Sequence, residues 1–213
     1  DLIATLYLQK KQLGRVRVCH IDHGQRSAKA ADRDEKAAHN ACKRYDIPLE
    51  IIHLNAPLGA SEETLRTLRY AVFLDLINPG ETLLTAHHAD DQLETYLFRL
   101  LRGTSSEEVK GIAALSMRGE THIARPLLAF EKKELLTYAT QRKLKWSEDS
   151  TNKSKEFARN RIRHELIPLL EELRPRAGKH ILNFFNALAK NDSVKKDKPL
   201  ILDFESGVDV KKD

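Results

Sequence analysis

Thr82-Leu83-Leu84-Thr85-Ala86-His87-His88-Ala89-Asp90-Asp91-Gln92-Leu93-Glu94-Thr95 decides how the rest of this 213-residue chain is read. Residues 82–86 are almost wholly apolar, the kind of strand covered on both faces in a parallel sheet. Asp90 to Arg102 reads as the next helix, with Asp90 placed as its N-cap. Asp91 lies in its first turn, where the helix dipole favours a carboxylate. A strand running straight into a helix start delivers two histidines and two carboxylates to one sheet edge. Asp90 and Glu94 are four residues apart and share a helix face.

Upstream, Arg15 to Ile21 alternates and then turns apolar, which predicts a strand, and His23-Gly24 marks the turn after it. Residues 28–45 are rich in helix formers. Ile47-Pro48 breaks that pattern, Leu49 to Leu54 is a second strand, and Asn55 to Gly59 a loop. Ser61 caps a helix reaching Ile77, with Leu65, Leu68, Val72 and Leu76 as its apolar stripe. Pro79-Gly80 stops it. Residues 2–10 have helical spacing. Downstream, residues 122–124 form a short strand and Glu131 to Lys143 a helix. Asp149 to Asn152 is a turn or cap. A basic helix follows to Leu166, and Pro168 marks the junction with a final helix over 169–190. Strands alternating with helices at this spacing predict an α/β fold, a parallel sheet with helices on both faces followed by a helical segment. In such sheets ligands bind beyond the carboxyl ends of the strands. His20-Ile21-Asp22-His23-Gly24 and residues 85–91 both fall there. The tail 191–213 is Lys- and Asp-rich, a linker or the start of something else.

The apolar fraction of 41% is ordinary for a globular protein. No run of about 18 apolar residues occurs, and the first residues lack signal-peptide order, so no membrane span and a cytoplasmic location are expected. A formal net charge of +5 is a weak pointer to a polyanionic partner. The two cysteines, Cys19 and Cys42, form no C-x-x-C, which disfavours a zinc ribbon or a Cys-ligated cluster. Both read as buried free thiols.

Three groups carry candidate chemistry, each beside a plainer alternative. Asp90, Asp91 and Glu94 with His87 and His88 would suit Mg²⁺ next to a phosphate, since hard cations prefer carboxylate oxygen. They would equally suit a helix cap with two hydrogen-bonded histidines. Arg159, Asn160 and Arg163 near His164 would suit phosphate or carboxylate, or a solvated face with an ion pair to Asp149 or Glu165. Glu62, Arg66 and Arg69 form either a structural network or a nucleic-acid contact.

In their order and spacing these segments resemble the tRNA(Ile)-lysidine synthetase family, N-type ATP pyrophosphatases of the PP-loop superfamily. The matching strings are H-I-D-H-G-Q-R at 20–26, E-x-x-x-R-x-x-R-Y at 62–70 and T-A-H-H-A-D-D-Q-L-E-T at 85–95. R-L-L-R-G-T at 99–104, R-P-L-L at 125–128, W-S-E-D-S-T-N at 146–152 and R-N-R-I-R-H-E-L-I-P-L-L at 159–170 continue the series. The resemblance covers roughly residues 15–190. It implies an adenine nucleotide alpha hydrolase-like, Rossmann-type domain over 1–152 and a helical extension toward a tRNA-binding region over 153–190. The family opens with an S-G-G-x-D-S phosphate loop. That loop is not in this sequence, and aligning Leu2-Ile3 and Leu6 with the family's first helix places it directly before Asp1. The chain alone is therefore expected to bind ATP poorly and to be inactive.

The implied reaction is ATP-dependent ligation of free L-lysine to C2 of the wobble cytidine in a tRNA(Ile) with a CAU anticodon, moving codon reading from AUG to AUA. Family members are often dimeric, so a homodimer is among the implied assemblies. By this resemblance Asp90, Asp91 and Glu94 form the acidic side of the site, with Asp90 and Asp91 available to Mg²⁺. His87 and His88 flank phosphates or target base. The backbone of His20, Ile21 and Asp22 meets ATP, while Arg159, Asn160, Arg163, Arg66 and Arg69 meet tRNA. The rivals are a PP-loop tRNA thiolase, disfavoured by the cysteine spacing, and a non-catalytic nucleotide- or RNA-binding module.

Overall fold

The computed structural model describes residues 16–54, 56–104, 110–144, 146 and 158–192. The helix expected over 2–10, the turn at 149–152 and the tail beyond 192 lie outside the described residues. In chain order the elements are β1 (Val18–Asp22), α1 (Ala28–Arg44), β2 (Leu49–His53), α2 (Glu62–Leu76), β3 (Thr82–Leu84) and α3 (Ala89–Leu101). There follow β4 (Leu115–Arg118), β5 (Thr121–Ala124), α4 (Lys132–Gln141), α5 (Ala158–Arg161), a π-helical turn (Ile162–Leu166), α6 (Ile167–Leu173) and α7 (Ala177–Asp192). Parallel strands joined through helices are the class the sequence predicts. They pack as two units. The described residues of Asp1–Glu81 and Lys132–Phe157 make one, and those of Thr82–Glu131 and Ala158–Asp213 the other.

In the first unit β1 and β2 pair in parallel from Val18↔Leu49 to Asp22↔His53, with α1 as the crossover. Cys42 and Ile47 are buried at the α1–β2 corner. There Asp46 takes a left-handed conformation (φ 52°), and the Ile47 N–H reaches back to the Cys42 carbonyl at 3.0 Å. Ser61 caps α2 as expected, its hydroxyl accepting from the Thr64 N–H at 3.1 Å. Arg17 fastens the start of β1 to the chain after α2, donating to Glu81 Oε1 and Oε2 at 3.1 and 2.7 Å. That bond holds the Glu81 carboxyl down to about 2.

In the second unit β3 pairs with β5 in parallel and β5 with β4 antiparallel, in the order β3-β5-β4. Strand β3 is shorter than the 82–86 expected, although the Thr85 N–H still bonds to the Ala124 carbonyl at 3.0 Å. Strand β4 was not expected. It pairs through a tight turn in which Gly119 has φ 58°, and its Leu115 and Met117 face outward, so no apolar run marks it. The core forms where Leu93 and Leu97 of α3 meet Ile162, packed by Phe98, Leu166, Ile167, Leu170, Ile181 and Leu182. Each such buried aliphatic side chain contributes roughly 1.5–3 kcal/mol by leaving water. Tyr96 stacks on Phe185 with centroids 4.4 Å apart.

Two boundaries differ from expectation. Pro168 does not divide the last helices. The chain continues through it from the π-helical turn into α6, and the break comes at Arg174-Pro175-Arg176, with Arg176 at φ 68°. A proline ring clashes with the carbonyl four residues back in an α-helix and offers no N–H. Widening the preceding turn, so that the Ile167 N–H bonds to the Ile162 carbonyl, relieves both problems. The start of α3 also shifts. His88, not Asp90, is the N-cap, because the Asp91 carboxylate accepts the His88 backbone N–H at 2.9 Å and satisfies the cap from the third helical position.

Candidate functional site

In the second unit β3 ends at Leu84, and four residues, 85–88, lead from it into α3. Thr85 and His87 lock together through Oγ1 and Nδ1 at 2.9 Å. His88 then lies between two carboxylates: its Nδ1 is 3.5 Å from Asp90 Oδ2 and its Nε2 3.6 Å from Asp91 Oδ2. Burial pulls the imidazole toward neutrality, but the charges of Asp90, Asp91 and Glu94 outweigh it, and the His88 pKa is raised. The carboxylates are graded by exposure: the side chains of Asp90, Asp91 and Glu94 are 44%, 23% and 6% exposed.

Glu94 would be costly to bury alone. Both its oxygens are taken by Arg163, Nε to Oε1 at 2.6 Å and Nη2 to Oε2 at 2.9 Å. Burial raises the Glu94 pKa, and Arg163 works against that. The same guanidinium lies 3.5 Å from Asp91 Oδ1. The strings at 85–95 and 159–170 therefore meet as one cluster, in which Arg163 orients the acidic helix start. The neighbouring ion pair on its helix is Arg161 with Glu165, at 3.0 Å. The Arg159 guanidinium lies over the Phe98 ring, 5.5 Å from its centroid, and Arg102 lies 4.9 Å from the same ring. Asn160 stands between Arg159 and Arg161 in α5, half-buried.

Two further buried polar residues, Gln92 and Arg125, brace the same unit, a role that local spacing does not reveal. Gln92 is buried, and its amide closes on Ile112 in both directions, accepting the Ile112 N–H and donating to the Ile112 carbonyl at 3.1 Å. Gly111 lies so close that an added Cβ would be 2.3 Å from Gln92 Nε2 and 2.5 Å from the Tyr96 hydroxyl. A polar residue on the buried face of α3 was the signal available. Arg125 likewise reaches back to the Ala113 carbonyl and Ser116 hydroxyl at 2.7 and 2.9 Å.

His20, Ile21 and Asp22 close β1 in the first unit, and Arg66 and Arg69 lie on α2 in that same unit. Gly24 turns the chain with φ 68°, and a Cβ there would meet the Leu54 carbonyl at 3.1 Å. The Gln25 amide accepts from the Gly59 N–H and donates to the Pro57 carbonyl, both at 3.0 Å. Burial lowers the His23 pKa, and the Arg69 charge lowers it further. Arg66 lies over the Tyr70 ring at 5.6 Å. Cys19 on β1 and Cys42 in α1 are both free. Burial pushes both thiols up, the opposite of what a nucleophile or cluster ligand needs.

The pattern of the PP-loop domain matches residues 2–170. This chain belongs to the PP-loop family. Its relatives include the tRNA(Ile)-lysidine synthase of Pseudomonas putida, 39% identical over 169 residues, 78% of this chain and 38% of that protein. The tRNA(Ile)-lysidine synthase of Coxiella burnetii is 39% identical over 178 residues, 81% of this chain and 38% of that one. That of Streptococcus pyogenes is 35% identical over 199 residues, 91% and 43% respectively. The chain thus spans about two fifths of the length of the curated relatives it matches. Among solved structures it is similar to the U34-tRNA thiolase NcsA from Methanococcus maripaludis with its 4Fe-4S cluster. The TM-score is 0.64 at 17% identity, covering 89% of this chain and 67% of that one. At that identity the likeness is one of fold. PP-loop membership implies use of ATP. Among the described residues no helix is long and apolar enough to cross a membrane.

Proposed function

We propose that this chain is the nucleotide-binding part of a cytoplasmic tRNA(Ile)-lysidine synthase, joining free lysine to C2 of the wobble cytidine of a CAU-anticodon tRNA at the expense of ATP. In the first step the C2 oxygen attacks the α-phosphorus of ATP, forming adenylated tRNA and releasing pyrophosphate. In the second the ε-amine of lysine attacks C2, AMP leaves, and the amine gives up a proton. Asp90 and Asp91 would hold Mg²⁺ through carboxylate oxygens, where it would neutralise phosphate charge. Two carboxylates beside a phosphate-bound metal suit Mg²⁺, which keeps water and substrate oxygens as its other ligands.

The observation that carries this reading is the Glu94–Arg163 pair, which joins the two most distinctive strings into one acidic cluster. With Glu94 neutralised by Arg163, Asp90 and Asp91 are the more exposed acids, suited to Mg²⁺ or, in its place, to the lysine ammonium. A carboxylate or imidazole there would take the proton that the attacking amine releases. Arg159 and Asn160 would then meet tRNA phosphate; Arg66 and Arg69 on α2 are separate candidates for tRNA contact.

The test is made in cells that depend on this protein. Replacing its only copy by an Asp91→Asn version should lower lysidine in nuclease-digested tRNA at least tenfold, measured by mass spectrometry of nucleosides. Unchanged lysidine in that variant would overturn the acidic site, and unchanged lysidine when the protein itself is depleted would overturn the function.

A further inference from the structure

The first unit carries a second cluster, of side chains to which the reaction above gives no part; the resemblance gives ATP only the backbone at Asp22. Asp22 ends β1, His53 ends β2, and the parallel register places them directly opposite each other, so their side chains share one face of the sheet. Glu35 reaches the same point from α1. His53 Nδ1 is 3.6 Å from Asp22 Oδ2 and 3.6 Å from Glu35 Oε1, and one donor atom from each residue lies within 4.8 Å of the other two.

Two features separate this cluster from an ordinary acidic surface. Among the described residues, neither Asp22 nor Glu35 is paired with a lysine or arginine, and the histidine is their shared neighbour. The nearby Asp34, by contrast, is engaged by Arg26 and Arg33, and Asp32 by Lys36. Asp22 is also preset: its Oδ1 accepts the Gly24 N–H at 3.0 Å, which aims Oδ2 at His53. Donors around a tetrahedral ion with bonds of ~2.1 Å stand roughly 3.4 Å apart, close to the two separations from His53.

We propose that Asp22, Glu35 and His53 form a binding site for a first-row divalent transition-metal ion of the zinc type. One imidazole nitrogen and two carboxylate oxygens favour such an ion over Mg²⁺, which prefers an all-oxygen octahedron. Three protein ligands leave one position open to water or another ligand. The site uses the Asp22 side chain and not its backbone, and zinc uptake is measured without ATP or tRNA, so its failure and that of the lysidine reading are distinguishable.

Zinc is titrated into the chelator-stripped, tag-free 213-residue chain against a chromophoric competitor. The wild type should take up one equivalent with a micromolar or lower Kd. Glu35→Gln and His53→Ala should each weaken it at least tenfold, while the exposed-histidine control His122→Ala leaves it unchanged, and millimolar Mg²⁺ should not displace it. Circular dichroism checks each fold; Glu35→Gln is isosteric and decides the matter should His53→Ala unfold. In NMR spectra of the wild type, the first equivalent of zinc should move the His53 imidazole signals before those of any other histidine. Zinc affinity unchanged by Glu35→Gln, or another histidine responding first, would overturn the site.

Discussion

Arg163 reads in the sequence as one of a run of basic residues on a helix, with acids at 149 and 165 as its nearest partners. Its actual partner is Glu94, 69 positions away. Periodicity carries no information about such a pair, because it is set by which two helices pack. Replacing Arg163 by Ala leaves a carboxylate almost without water and without its counter-charge. The expected loss is about 3 kcal/mol of unfolding free energy, the low end for a broken buried pair because the arginine itself is partly exposed. Urea titration measures it, and Arg163→Lys should recover only part, since an ammonium cannot make the two-pronged bond. At His88 the raised pKa has a definite sign. The imidazolium is stabilised in the folded state, so its contribution is complete below the ordinary value of about 6.5 and is lost as pH rises through the higher folded value. Unfolding free energies measured from pH 5.5 upward should fall over that window in the wild type, and the fall should be absent in His88→Gln. Asp90, Asp91 and Glu94 were all legible as acids near a helix start. Which of them faces water and which is sealed by arginine was not.

The elements were mostly legible because their signals are local. Ser61, the apolar stripe of α2, Pro79-Gly80 and the Ala-rich α1 each act within a few residues of themselves. The π-helical turn is local in cause as well, but its consequence is not. Pro168 widens the preceding turn, and Arg163 sits in that turn facing Glu94. With Pro168→Ala the turn can relax to an ordinary α-helix and rotate Arg163 away. A double-mutant cycle between Arg163 and Glu94 should then show a coupling of less than about 1 kcal/mol, against roughly 2–3 kcal/mol in the parent background. At the other side of α3, Gly111→Ala forces a methyl group onto Gln92 and Tyr96. It should cost about 2 kcal/mol by overpacking, read as a lower midpoint in thermal unfolding. Strand β4 escaped sequence reading because its exposed apolar residues imitate a loop with scattered hydrophobes; only pairing with β5 defines it.

At the scale of the molecule the basic balance acquires a location. Arg163 is bonded to Glu94, and Arg159 and Arg102 lie against Phe98. If tRNA is the partner, Arg159→Ala should flatten the dependence of log Kobs on log salt by roughly 0.9, one phosphate contact, in filter-binding assays. Arg163→Ala should instead act through stability. From the order of residues alone came the alternation of strands and helices, the Ser61 cap, the stop at Pro79-Gly80 and the strings that mark a PP-loop protein, since all of these depend on neighbours in the chain. Folding alone decided the partition into two units drawing on separated stretches, the β3-β5-β4 order, the Glu94–Arg163 bond and the meeting of Asp22, Glu35 and His53. Each of those joins groups far apart in sequence, and their approach is fixed by how apolar faces pack and which charges that packing forces together, a property of the assembled structure and of no local segment.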